Sequence, residues 1–267
     1  MRQLLSKRAA FSLLAFLLYV DQAHASEVRK ISADGTAFIV ELADGRTLHS
    51  VDLIGTELDI RISSNPVRLR IDSVERDSTA KDIWLHGISV KQPGGSWKKL
   101  CRPGPGGRAL GFPLAGKTRS NGTLDIVDQN LFELACTSGA QAKCVRYGYL
   151  PWATAPDGLP FLPAFNACIL MLRADYAGNN APTTRDGAKI DVADRWNIQT
   201  LDINDENFEA GWNAEGALCV HHPRIRENIS LEQIEASVPR LKGRSGTICT
   251  PEFARKLGAL IFNRSRN

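Results

Sequence analysis

Thr36-Ala37-Phe38-Ile39-Val40-Glu41-Leu42 runs into Asp44-Gly45, and Thr47-Leu48-His49-Ser50-Val51-Asp52-Leu53 follows. Apolar and polar residues alternate in the first run, and successive side chains of an extended backbone point to opposite faces. The pattern predicts a half-buried strand. Asp-Gly is a hairpin dipeptide, so the second run is predicted to return as its partner. Working outward, Glu57 to Ile62, Val67 to Val74 and Asp82 to Val90 repeat the texture, and together they predict an antiparallel β meander.

Gly94 to Gly116 is a loop rich in Gly and Pro, centred on Pro103-Gly104-Pro105-Gly106-Gly107. It marks a boundary between a strand-rich subdomain, 26–100, and a cysteine-containing region, 101–267. Helices are expected at Ala164 to Arg173, at Ser230 to Ala236 with a Ser230/Gln233 capping box, and at Pro251 to Phe262 with Thr250 as N-cap. The fold class is therefore α+β and strand-rich, a meander followed by a disulfide-stapled mixed region with a few short helices.

Residues 1–25 have the form of a cleavable signal peptide. Arg2, Lys7 and Arg8 precede the apolar run Ala9 to Val20, and Ala23-His24-Ala25 supplies small residues at the cleavage positions. A bilayer span takes about 20 apolar residues, which this run does not reach. The expected location is periplasmic or secreted, with no membrane span after cleavage. The net charge of +4 falls by two when Arg2, Lys7, Arg8 and Asp21 leave with the leader. So small a charge, without basic blocks interleaved with aromatics, argues against nucleic acid as a partner.

Cys101, Cys136, Cys144, Cys168, Cys219 and Cys249 all follow the leader, and an even count in an exported chain favours disulfides. The most local pairing joins Cys136 to Cys144, worth about 2.5 kcal/mol by loop closure. A pair reaching Cys249 ties down the C-terminus. Cys219-Val220-His221-His222 brings three metal-ligand types together, but zinc sites use two spaced ligand pairs and an oxidising compartment favours S–S bonds. No metal and no cofactor is expected.

Several blocks carry a family resemblance: Ala135-Cys136-Thr137-Ser138-Gly139-Ala140, Lys143-Cys144-Val145-Arg146-Tyr147-Gly148-Tyr149 and Pro151-Trp152. Met171-Leu172-Arg173-Ala174-Asp175-Tyr176, Thr184-Arg185-Asp186-Gly187, Ile190-Asp191, Phe208-Glu209-Ala210-Gly211-Trp212 and Cys219-Val220 continue the series. In this order they resemble the bacterial ADYC domain over about residues 100 to 222. The resemblance implies an exported protein and supplies no biochemical activity and no catalytic residues. Ala177 stands where the motif cysteine follows Ala174-Asp175-Tyr176, so one family disulfide is expected to be absent or replaced.

Ser138 lacks the flanking glycines of a nucleophile elbow, and six cysteines leave no odd thiol. Acid–base candidates are Asp175, Asp186 and Glu209, accompanied by Asp191 and Asp194. Asp175-Tyr176 and Asp186-Gly187 also suit turn and cap chemistry, in which a short carboxylate accepts backbone N–H groups. Arg173 and Arg185 are the anion-binding candidates. On a continuing strand the rings of His221 and His222 would point to opposite faces, leaving His221 as the one candidate base. Tyr176 and Trp152 head an aromatic set, with Tyr147, Tyr149, Trp196 and Trp212, that suits either a ligand platform or a core.

Two functions follow. The first is a non-catalytic binding module of the cell envelope, recognising a protein, peptide or glycan. The alternative is an exported hydrolase using Asp175, Asp186 or Glu209 with Arg185 and His221.

Overall fold

The computed structural model describes residues 27–62, 65–104, 106–126, 128, 131–200 and 207–266. The leader expected over residues 1–25 lies outside them. Strands β1 (Val28–Asp34), β2 (Ala37–Leu42) and β3 (Thr47–His49) form an antiparallel sheet in that order. The alternation read in the sequence is realised on β2, where Phe38, Val40 and Leu42 are buried. Beyond β3 the expected strand gives way to a 3-10 turn, Ser50–Leu53. Asp52 Oδ2 accepts the His49 N–H at 2.9 Å and bends the chain, which carries Leu53 into the core.

The next strands are β4 (Glu57–Ile62), β5 (Asn65–Arg76), β6 (Trp84–Lys91), β7 (Trp97–Lys99) and β8 (Gly111–Ala115). A short ribbon of β9 (Lys117–Thr118) and β10 (Leu124–Asp125) leads to β11 (Phe132–Cys136). The second sheet has six strands in the order β11-β8-β6-β5-β4, with β7 paired to β6. Strands from both sides of residue 100 therefore share one sheet. Cys101–Cys136 crosslinks it, and a Cβ on Gly111 would stand 2.9 Å from Cys101 Sγ and 2.7 Å from the Ala135 carbonyl. Only glycine leaves room for that crossing.

The first two sheets share a core of Phe38, Val40, Leu42, Leu53, Leu58, Leu69, Ile71 and Ile88. Ser50 Oγ accepts the Phe38 N–H at 2.8 Å and bonds His86 Nε2 at 2.9 Å, joining the sheets through polar atoms. Burial pushes the His86 imidazole down to about 4, the Gly111 backbone opposing the shift. His86 is thus held neutral in the fold.

Helices α1 (Ala140–Arg146) and α2 (Leu162–Arg173) follow. Residues Ala164 to Met171 of α2 are all buried, as expected of a helix enclosed on every side. Cys144 of α1 bonds Cys168 of α2, which corrects the local Cys136–Cys144 pairing. The reason is that Thr137-Ser138-Gly139 leads straight into α1, which the sequence reading left out. Helix formation turns Cys144 inward to α2 and leaves Cys136 on the sheet, beside Cys101.

Strands β12 (Ile190–Asp194), β13 (Phe208–Asn213) and β14 (Gly216–Val220) come next, followed by α3 (Leu231–Ser237), α4 (Pro251–Lys256) and β15 (Ile261–Ser265). The third sheet is antiparallel in the order β12-β15-β13-β14. The helix expected through Phe262 thus stops at Lys256. Strand β15 fills the slot between β12 and β13, and that pairing overrides local helical preference. Ser230 and Thr250 cap α3 and α4 as their sequence patterns predict. Cys219–Cys249 ties β14 to the segment before α4, and no cysteine is free among the described residues.

Candidate functional site

Ala174-Asp175-Tyr176 closes the C-terminus of α2. Ala174 takes the left-handed cap conformation with φ 47°, donating its N–H to Met171. The Asp175 carboxylate, 0% exposed, then gathers the next turn. It accepts N–H groups from Gly178 at 2.9 Å, Asn179 at 3.2 Å and Asn180 at 2.8 Å. Gly178 has φ +70°, and a Cβ there would lie 2.1 Å from the Glu215 carbonyl, so the turn packs on the β13–β14 connection without a side chain.

Tyr176 points into the core and stacks on Trp212 with ring centroids 5.2 Å apart. Its hydroxyl donates to Glu209 Oε1 at 3.1 Å and accepts the Arg224 N–H at 2.8 Å. Burial, reinforced by Glu209, pushes that phenol well above its ordinary value. Arg224 holds the Glu209 carboxylate in a two-pronged pair, Nε to Oε2 and Nη2 to Oε1, both at 2.9 Å. The side chains are 2% and 0% exposed. The same guanidinium donates to the carbonyls of Met171 at 2.7 Å and Leu172 at 3.0 Å, capping the end of α2. From the other side Arg240 donates to the carbonyls of Tyr176, Ala177 and Glu215.

Asp175, Tyr176 and Glu209 are therefore bracing elements of one buried corner. The sequence reading singled out those three and passed over Arg224 and Arg240. No local signal marks an arginine that reaches carbonyls about fifty residues away in sequence. Asp194 repeats the device nearby, accepting the Tyr149 hydroxyl at 3.0 Å and the backbone N–H groups of Trp196, Ile198 and Gln199. Asp191 pairs with Arg264 at 3.0 Å.

The remaining candidates are scattered. Arg185 and Asp186 lie exposed on the turn before β12 and form no ion pair with each other. Arg173 ends α2 and bonds Asn180 Oδ1. Tyr149 and Trp212 are fully buried, whereas Trp152 is 40% exposed on the loop between α1 and α2.

One concavity collects unengaged chemistry. A cleft of about 470 Å³ is lined by His221, His222, Pro223, Arg226, Ile229, Ser230, Leu231, Glu232, Gly246 and Thr247. The expectation that the two histidine rings diverge is corrected: β14 ends at Val220, the chain bends at residues 221–222, and both rings line the cleft. Their centroids are 6.0 Å apart with planes at 85°.

His221 Nδ1 is 3.0 Å from the Cys249 carbonyl and His222 Nδ1 is 3.2 Å from the Pro223 carbonyl. A carbonyl only accepts, so Nδ1 carries the proton in each neutral ring and Nε2 carries a lone pair. The His221 N–H also donates to the Glu209 carbonyl at 2.7 Å, anchoring the cleft to the buried corner. At the mouth, the Ser230 hydroxyl holds the Glu232 carboxyl below its ordinary value.

Residues 50–226, about two thirds of the chain, match the family model of the ADYC domain. The match begins upstream of the motif blocks, at Ser50, and takes in strands β4 to β6, which share a single sheet with β8 and β11. It takes in Asp175, Tyr176, Glu209 and Arg224 together with His221 and His222, and ends before Arg240. No curated protein and no solved structure matches the chain. With its motif residues built into one closed corner and most of its length inside the matched region, the chain belongs to the ADYC domain family.

Proposed function

We propose that the chain is an exported, disulfide-braced binding module, periplasmic or secreted, which takes a peptide or glycan of the envelope or extracellular space in the His221–His222 cleft. One observation carries this reading. The cleft combines Pro223, Ile229 and Leu231 as apolar wall with two imidazoles whose Nδ1 atoms meet carbonyls and whose Nε2 atoms have no partner among the described residues, and ligand sites are concavities of this size with few, well-placed polar groups. Three disulfides and the leader-like residues 1–25 support an oxidising compartment. The described residues contain no helix long and apolar enough to cross a membrane. The hydrolase alternative has weaker support, since Asp175 and Glu209 are engaged in the buried corner and Asp186 stands apart from them on an exposed turn.

The test is ligand screening by the histidine side-chain resonances, using wall-glycan fragments and short peptides. Binding should shift His221 and His222 but not His86, and Leu231→Trp, which fills the cleft, should abolish it. Binding that survives Leu231→Trp and is lost in Trp152→Ala would overturn the assignment and move recognition to the loop between α1 and α2. Export is tested separately: the N-terminus recovered from the periplasm should be Ser26, and Met1 there would contradict it.

A further inference from the structure

Each imidazole in the cleft has one ring nitrogen on a backbone carbonyl. A ligating histidine donates its second ring N–H to a carbonyl or carboxylate, which fixes the ring and directs its lone pair to the ion. His221 does this through the Cys249 carbonyl and His222 through the Pro223 carbonyl. We propose that His221 Nε2 and His222 Nε2 together bind a divalent transition-metal ion, of the Zn2+ or Cu2+ class, whose open positions face the cleft.

The spacing fits. Two nitrogens each about 2.1 Å from a shared ion, with about 1.1 Å added from nitrogen to ring centre, allow centroids up to about 6.5 Å apart. The observed 6.0 Å lies inside that limit, and a tetrahedral angle requires closure by less than about 1 Å. Both rings are partly exposed, so a small χ rotation costs little packing. On the His221 side the backbone is fixed: the His221 N–H is held by the Glu209 carbonyl, and Cys249 by its disulfide to Cys219 on β14.

Two grounds in the sequence weigh against metal, crosslinked sulfur and the absence of a second spaced ligand pair. Cys219 is indeed crosslinked, which removes it and leaves the imidazoles. No third His, Cys, Asp or Glu joins them among the described residues. The remaining positions are therefore filled by water or by donor atoms of the molecule in the cleft, with an imidazole pair favouring Cu2+ and Zn2+ over the oxygen-seeking Ca2+ and Mg2+. The inference rests on the cleft being the recognition site and names an ion as part of what it takes.

The experiment is titration of the disulfide-bonded protein with Cu2+ or Zn2+ alone, read by calorimetry and, for Cu2+, by the nitrogen couplings in its electron paramagnetic resonance spectrum. One ion per chain and two imidazole nitrogens are expected. His221→Ala and His222→Ala should each weaken binding at least about tenfold, the lower end of what even an outer-shell change costs, while His49→Ala changes nothing. Unchanged thermal unfolding of these variants separates ligand loss from misfolding. Equal affinity in all three variants, or coupling to one nitrogen only, would overturn the proposal. An ion-free cleft that still takes an organic ligand, blocked by Leu231→Trp, would overturn the metal assignment while leaving the binding reading intact.

Discussion

The corner at Ala174–Tyr176 and the cleft at His221–His222 adjoin along the chain, because Pro223 lines the cleft and Arg224 belongs to the corner. They treat polar atoms in opposite ways. In the corner, Asp175 holds three backbone N–H groups and Arg224 joins Glu209 and two helix-end carbonyls. In the cleft, each histidine fixes one ring nitrogen and leaves the other open. Burial decides the difference, since an unpaired charge inside the protein is strongly destabilising whereas a half-exposed imidazole is solvated. Titratable type alone therefore does not mark a site. Unengaged valence at a concave surface does.

Arg224→Ala leaves the Glu209 carboxylate buried without its partner and should lower stability by about 3–5 kcal/mol, read as a fall in the urea midpoint. If the loss is below about 1 kcal/mol, the corner is not the brace described. Replacing Cys219 and Cys249 by Ala opens a loop of 30 residues and should cost about 3–4 kcal/mol. It should also weaken Cu2+ binding, because Cys249 supplies the carbonyl that sets His221.

His86 offers a pH test within the scaffold. Its folded value of about 4 lies below the ordinary 6.5, so the unfolded chain binds the additional proton. Stability is then complete above about pH 6.5 and declines by about 3 kcal/mol as pH falls to 4. Denaturant titrations of wild type and His86→Phe across that window measure the difference, and parallel pH curves would contradict the assignment.

Asp175→Ala strands three backbone N–H groups and should cost about 2 kcal/mol, with folded yield reduced. His221→Ala and His222→Ala should change stability by less than about 0.5 kcal/mol, as befits half-exposed residues outside the brace.

The strands were legible wherever one face is buried and the other wet, as on β2, and caps were legible where Ser230 and Thr250 stand at helix starts. Helix α1 and strand β15 were not. The first is only seven residues long and carries no N-cap side chain, and the second is a strand because β12 and β13 flank it. Disulfide pairing escaped for the same reason: once α1 forms, sequence proximity no longer measures distance. At the cleft the residue types were visible, but their orientation depended on a bend at residues 221–222 that strand periodicity misses.

Nitrogen-15 spectra of the histidine side chains at neutral pH, without added ligand, read the tautomer of each ring directly. The geometry predicts that the neutral form of both His221 and His222 is the Nδ1–H tautomer. A neutral ring with its proton on Nε2 and a bare Nδ1 would mean that its carbonyl contact is not formed, and the cleft would lose its paired lone pairs.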